Sequence, residues 1–355
     1  MRKNVIIKLG ALGDSYMTYC MLLNNIQENE KIIYLTNNAL GKFLFRLKNI
    51  NYVKIKFRAA KCNLFEFIGD LLKILFICLL NKKIFILHPL PSNISNFICL
   101  INKFTFYKIY NLTRGKPKSN EYLLSDENHR LLSEINLLSI GKVFFSNTKL
   151  NYKLVHYKEI NNLISQIKLK KNNQKKVITI FPSTGNFIQP FSNRDIPPEY
   201  LVFLINELIA NKPNITIEVI GKSDKYNNLF RKYFLKCDIK SKVINNLCGL
   251  KSESLIESII NSDLVICVDS FPMYLAISFN INTYLIAGPT NPKQYIDDFQ
   301  NESLQIYNPN IETCRYCYKA SEKGESRMYT CREPLCMKTI DYKKIINDIN
   351  LFLIK

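Results

Sequence analysis

Asp263–Thr290, DLVICVDSFPMYLAISFNINTYLIAGPT, is the stretch that decides how this chain folds. Leu264 to Val268 is an unbroken apolar run of buried-strand type, and it stops abruptly at Asp269-Ser270. A short helix-like segment follows, and a second apolar strand ends at Gly288-Pro289-Thr290. Strands apolar on both faces belong to parallel sheets covered by helices. Two parallel strands joined by a helix put their C-terminal ends on the same edge, where open α/β sheets collect ligands. Asp269, Ser270 and Thr290 therefore read as the polar lining of a binding crevice.

Further βα units flank this one. Toward the N-terminus a strand at Val5–Leu9 runs into the turn Gly10-Ala11-Leu12-Gly13-Asp14 and a helix from about Ser15. Strands are expected at Lys31–Tyr34, Tyr52–Ile55 and Ile84–Leu87, with a helix from Leu64 before the last, and Asp126–Leu138 reads as helical. A second series holds strands at Val177–Phe181, Ile215–Ile220 and Val243-Ile244, and helices at Pro198–Ala210 and Ser252–Asn261. The pattern predicts an α/β fold with parallel sheets. Between the series, the Lys/Asn run at Lys168–Lys176 reads as a solvated linker. It sets the expected domains at 1–170 and 171–340, leaving 341–355 as a C-terminal helix able to pack back on the first domain.

The chain's 355 residues suit two such domains, and an apolar content of 47% is ordinary for a globular protein. The net charge of +20 is not ordinary. It comes mostly from lysine in a chain also rich in Ile and Asn, so compositional drift is one account of it. The other is an anionic partner: a nucleotide diphosphate, a phosphorylated glycolipid, a membrane surface or a nucleic acid. Nucleic acid is the weakest of these, because the lysines are dispersed rather than gathered into a recognition motif. The most lipophilic stretch, Leu64 to Leu80, carries Glu66, Asp70 and Lys73, and its uncharged part is far below the ~20 residues a membrane span needs. It reads as a buried helix, or as one that touches a bilayer surface near Lys82-Lys83. With no targeting segment apparent, the chain is expected in the cytoplasm.

Three motifs carry possible chemistry. In Lys8-Leu9-Gly10-Ala11-Leu12-Gly13-Asp14, glycines permit a tight turn and close approach, and the following helix start favours an anion. Asp14 there is either a first-turn acid or a general base. In Pro182-Ser183-Thr184-Gly185-Asn186, a small-residue loop after a strand offers backbone N–H groups to a phosphate. Arg194, ahead of the Pro-initiated helix RDIPPEYL, could reach the same anion or stand at the surface. Four cysteines, Cys314-x2-Cys317-x13-Cys331-x4-Cys336, fit a small tetrahedral zinc site, with unmetallated thiols or disulfides as the alternatives. Four thiolates would close the metal's shell, so a structural metal is expected and a catalytic metal is not.

Taken in order, these pieces resemble glycosyltransferase family 9, the heptosyltransferase family of lipopolysaccharide assembly. KLGALGD is similar to its N-terminal Gly-Asp turn, FPSTGN with RDIPPEYL to its phosphate loop and basic helix entry. NLCGLKSESLIESIINSDLVICVDS is similar to the stretch before its nucleotide-binding Asp, and AGPTNP to its closing loop. The resemblance implies a GT-B-type fold, two Rossmann-like domains facing a central cleft, with acceptor bound by the first and a nucleotide-diphosphate sugar by the second. It implies an inverting transfer of a heptose or hexose-like sugar, Asp14 as base, and Lys8, Gly10 and Gly13 at the acceptor-side turn. The donor would meet Ser183, Thr184, Gly185, Arg194, Asp269, Ser270, Tyr274, Gly288, Pro289 and Thr290, with Asp224 near the ribose. An ADP-heptose-like donor, an anionic lipid-linked saccharide acceptor and peripheral contact with the inner membrane's cytoplasmic face would go with it. The family pattern Asp-Ser/Thr-Gly-x-x-His is altered, with Phe271 for the Gly and Tyr274 for the His. That change motivates an alternative, a non-catalytic relative that binds the nucleotide sugar or glycan without turnover.

Overall fold

The structure, a computed structural model, describes residues 3–8, 12–25, 31–36, 50–54, 64–81, 83–87, 108–113, 121–123, 134, 137–138, 158–169, 175–184, 193–211, 215–221, 244–246, 252–291, 303–311, 331 and 333–354. The chain divides into two compact units, Met1–Tyr152 and Lys153–Lys355. The division falls ahead of the Lys168–Lys176 run expected to be the linker. Within that run Lys168 and Leu169 end one helix and Lys176 opens a strand, both in the second unit, and residues 170–174 lie outside the described residues.

The first unit is built from β1 (Asn4–Ile7), α1 (Leu12–Asn25), β2 (Ile32–Thr36), β3 (Ile50–Lys54), α2 (Leu64–Leu80), β4 (Lys83–Ile86), β5 (Lys108–Thr113) and β6 (Glu121–Leu123). Its strands lie in the order β3-β2-β1-β4-β5-β6, every neighbouring pair parallel. The winding reverses between β1 and β4, where Asn4 is in register with Ile32 on one side and Lys83 on the other. Val5, Ile7, Leu35, Ile84 and Ile86 form a core closed by Ile74 of α2, and Phe85 stacks on Tyr110 at 4.9 Å. Glu134, Leu137 and Leu138 are helical and buried; the rest of the helix expected there lies outside the described residues.

The second unit repeats the plan. Its elements are α3 (Lys158–Leu169), β7 (Lys176–Phe181), α4 (Pro198–Asn211), β8 (Ile215–Val219), β9 (Ile244–Asn246), α5 (Ser252–Asn261), β10 (Leu264–Val268), α6 (Phe271–Ser278), β11 (Thr283–Ile286), β12 (Leu304–Tyr307), α7 (Leu335–Lys338) and α8 (Tyr342–Ile354). The order β12-β11-β10-β7-β8-β9, again all parallel, is the same doubly wound topology, with its reversal between β7 and β10. α8 packs part of its apolar surface within its own unit. Ile345, Ile346 and Ile349 are buried with Leu201, Leu204 and Leu208 of α4, and Tyr342 stacks on Tyr200 at 4.7 Å. Asp348 ties the helix to β12 by accepting from Gln305 Nε2 and Tyr307 Oη, both at 2.9 Å, and from Lys344 Nζ at 2.7 Å. Burial pushes that carboxyl up, but the three donors and the Lys344 charge outweigh it and hold Asp348 below its ordinary value.

Candidate functional site at the switch point of the second sheet

In an open α/β sheet the crevice forms where strand order reverses, because helices leave to opposite faces there. The reversal between β7 and β10 sets Phe181 in register with Cys267, so Pro182–Thr184 and Asp269-Ser270 leave the sheet side by side. Arg194 comes from the segment after β7, and its Nη1 lies 3.3 Å from Asp269 Oδ2. Tyr274 Oη donates to the other oxygen, Oδ1, at 3.2 Å. Both partners of the ion pair keep some exposure, 24% for the arginine side chain and 13% for the aspartate.

The segment carrying Arg194 is held from three directions. Ile196 N–H donates to Pro182 O at 2.8 Å. Asp195 Oδ1 accepts from Thr184 N–H at 2.8 Å and from Thr184 Oγ1 at 3.2 Å. Asn193 Nδ2 donates to Cys331 O at 2.7 Å, bringing Cys331 to the same corner. A guanidinium on a segment held this way, paired to a carboxylate, offers the planar set of donors that can bind a phosphate. On the β10 side, Ser270 is the N-cap of α6 with extended backbone (φ −153°, ψ 167°), and Pro272 lies in the first turn. Its hydroxyl donates back to Val268 O at 3.0 Å rather than capping the helix.

Several residues expected to face a donor are engaged elsewhere. The Thr184 N–H, offered by the sequence to a phosphate, is taken by Asp195. The Tyr274 hydroxyl orients Asp269, and the rest of that side chain is buried. Gly288, Pro289 and Thr290 are buried rather than open. A Cβ on Gly288 would overlap Met337 Sδ and stand 3.6 Å from Cys336 Sγ of α7, so a larger residue there would have to displace the buried Met337 side chain. Gly185 and Asp224 lie outside the described residues. Asp195 was not singled out by sequence reasoning; the available signal was an acid directly beside Arg194 and ahead of a proline-initiated helix.

The first sheet has its own reversal, at the ends of β1 and β4. Lys8 follows β1, but its ammonium is not presented to an acceptor. It is wholly buried, paired with Glu134 and donating to Leu87 O at 3.3 Å beyond β4. Thr18 Oγ1 of α1 donates to the second Glu134 oxygen at 2.7 Å. Glu134, missed by sequence reasoning, was legible only as a lone acid in the apolar stretch LLSEINLL. Asp14 and Gly13 stand in the first turn of α1, which begins three residues earlier than expected, at Leu12. Tyr34 Oη anchors that turn by donating to Ser15 O at 2.8 Å. Gly10 lies outside the described residues.

Of the four clustered cysteines, Cys314 and Cys317 lie outside the described residues. Cys336 is buried in α7, and Cys331 Sγ donates to Glu333 O at 3.0 Å. Among the described residues no group of three or more His, Cys, Asp or Glu gathers to hold a metal, and no helix is long and apolar enough to cross a membrane.

No family model and no curated protein sequence matches this chain. Solved structures do. A family 9 glycosyl transferase from Veillonella parvula superposes over 99% of this chain and 97% of its own, with a TM-score of 0.66 at 15% identity. The chain has that fold. E. coli heptosyltransferase WaaC, solved with ADP, matches over 99% of this chain and all of its own at a TM-score of 0.64 and 10% identity. The iron-containing dodecameric glycosyltransferase TibC of E. coli matches over 99% of this chain and 77% of its own at 0.53 and 12%. The architecture resembles the heptosyltransferases throughout, with two parallel α/β sheets of GT-B type.

Proposed function

We propose that this protein is an inverting glycosyltransferase that takes a sugar from a nucleotide-diphosphate donor and passes it to an anionic lipid-linked saccharide in the cytoplasm. The carrying observation is the Arg194–Asp269 pair at the reversal of the second sheet. The heptosyltransferase fold and a structural neighbour solved with ADP support a nucleotide-sugar ligand for that corner. In this reading Arg194 swings part of its charge from Asp269 to the diphosphate and stabilises it as it leaves. Asp14 accepts the proton of the acceptor hydroxyl, whose oxygen attacks the anomeric carbon on the face opposite the departing diphosphate.

The test is a thermal-shift screen of ADP-, GDP-, UDP- and CMP-sugars, since a ligand raises stability by RT ln(1 + [L]/Kd). One nucleotide should stand out, and Arg194→Ala should weaken it by about 10- to 100-fold, the worth of one hydrogen bond between charged groups. No shift with any nucleotide would remove the donor-site assignment. The non-catalytic reading is kept because Tyr274, in place of the family's His, has its hydroxyl on Asp269. It predicts a nucleotide-dependent shift with no release of free nucleotide in the presence of acceptor.

For Cys314, Cys317, Cys331 and Cys336 the proposal is a structural thiolate-bound metal bracing α7 beneath Gly288. Zinc suits four thiolates, and iron is raised by the iron-containing neighbour. Elemental analysis of the purified protein should find about one zinc or iron per chain, lost in Cys317→Ser. Metal-free protein with wild-type stability would return the four to plain thiols.

A further inference from the structure

The helix α2 is apolar on both sides. Its inner face, with Ile74 buried and Leu71 and Ile77 half-buried, closes the core of the first unit. Its outer face carries Phe65 (85% exposed), Ile68 (44%), Leu72 (60%), Phe76 (64%) and Leu80 (56%). At about 100° per residue these five fall on one arc of about 140°, which also holds Gly69 and ends at Lys73. The acids Glu66 and Asp70 stand off the arc. A surface helix of a water-facing protein turns polar residues outward, and α3 of this chain does so: Lys158, Asn161, Asn162, Ser165, Gln166 and Lys168 are its exposed positions. The outer face of α2 is therefore not a habit of composition. An apolar stripe four turns long marks a surface that meets something.

We infer that the outer face of α2 lies in the headgroup region of an anionic lipid bilayer, parallel to its plane. Charge selects this occupant. Residues 1–152 hold 22 Lys and Arg against 9 Asp and Glu, a net +13, whereas the remaining 203 residues hold 27 against 20, a net +7. The basic residues crowd the helix ends in sequence: Lys54, Lys56, Arg58 and Lys61 precede it with no acid among them, and Lys82 and Lys83 follow. Lys73 at the edge of the stripe donates to Lys54 O at 3.2 Å, so the exposed Lys54 stands beside the apolar arc. Apolar area flanked by lysine is the pattern that binds anionic lipid, burial supplying the grip and charge the selectivity. A second copy of the same unit would set +13 against +13, and repulsion opposes that pairing. At 17 residues, with charges within it, α2 rests on the bilayer without spanning it. The inference stands whether or not the protein transfers sugar.

The test is flotation of the full chain with vesicles of phosphatidylcholine alone and of phosphatidylcholine with phosphatidylglycerol, at low and high salt. Binding should require the anionic lipid and weaken with salt, and Leu72→Glu with Phe76→Glu should reduce it at least about tenfold. Both positions are exposed, and an unchanged thermal melt confirms that the double variant folds. The chain contains no tryptophan, so Phe76→Trp supplies a lone reporter whose emission should shift to the blue on addition of the anionic vesicles. Absence of binding at low salt, or binding that survives the double variant, overturns the inference. So does a concentration-dependent dimer that the double variant abolishes, which would give the stripe to a second copy.

Discussion

Asp14→Ala should lower kcat by roughly 10²- to 10⁴-fold while leaving the protein folded and able to bind its nucleotide. The two roles open to this residue differ enough in size to be separated. As an acid in the first turn of α1, Asp14 would stabilise the helix through its dipole by about 0.3–1 kcal/mol. As the base that takes the acceptor proton, it would lower a barrier by about 3–5 kcal/mol, the equivalent of that rate change. The turn does not rest on Asp14 alone, since the Tyr34 hydroxyl holds Ser15 O and Thr36 Oγ1 lies 3.3 Å from Ser15 Oγ. The substitution should therefore move the melting temperature little and the turnover greatly, with the donor found by thermal shift as substrate. Asp14→Asn, which keeps the shape and removes the basicity, should be about as inactive. Full turnover in both variants would leave Asp14 with the helix role only.

The parts of the fold that were legible are those where a run of residue types starts and stops for a local reason. Ser252–Asn261 and Leu264–Val268 were read to the residue, and the helix expected over 341–355 runs from Tyr342 to Ile354. Each is a periodic or continuous apolar run closed by a cap, an acid or a chain of polar residues. β5, β6 and β12 were missed. KIYNLT is interrupted by Asn111, EYL is three residues long, and LQIY is partly exposed throughout most of its length. Such strands gain most of their stability from neighbours distant in sequence, which a window cannot see.

The site followed the same divide. Asp269 and Arg194 were legible as types in context, but not as a pair, because 75 residues separate them. The opening motif suggested a crevice between β10 and β11, the two strands it contains. Strand order is a property of the whole sheet, and the reversal lies on the other side of β10, against β7. The reversal therefore falls beside Asp269 and Arg194, while Gly288 packs against α7. The partner of Lys8 was not legible for a related reason, since the carboxylate that holds it is 126 residues away.

That buried pair should give the largest stability effect in the protein. Glu134→Leu leaves the Lys8 ammonium in a fully buried position without its counterion, and Lys8→Met strands the carboxylate in the same way. Removing one member of a buried ion pair costs about 3–5 kcal/mol, because the surviving charge has lost water without compensation. For a unit of this size that corresponds to roughly 6–20 °C in melting temperature. The double variant, Lys8→Met with Glu134→Leu, removes both charges and replaces them with apolar groups of similar bulk. Such exchanges are often neutral or stabilising, so the double variant should be more stable than either single one. Melting of all three, read on the transition of the first unit, checks the sign as well as the size. Additive losses would mean that the two residues act through separate contacts. Recovery in the double variant would show that the pair chiefly fixes geometry, joining the ends of β1 and β4 to α1 through Thr18 at the edge where Asp14 stands. In that case a double variant that is stable but slow in turnover would assign Lys8 and Glu134 to positioning of the first-unit turn.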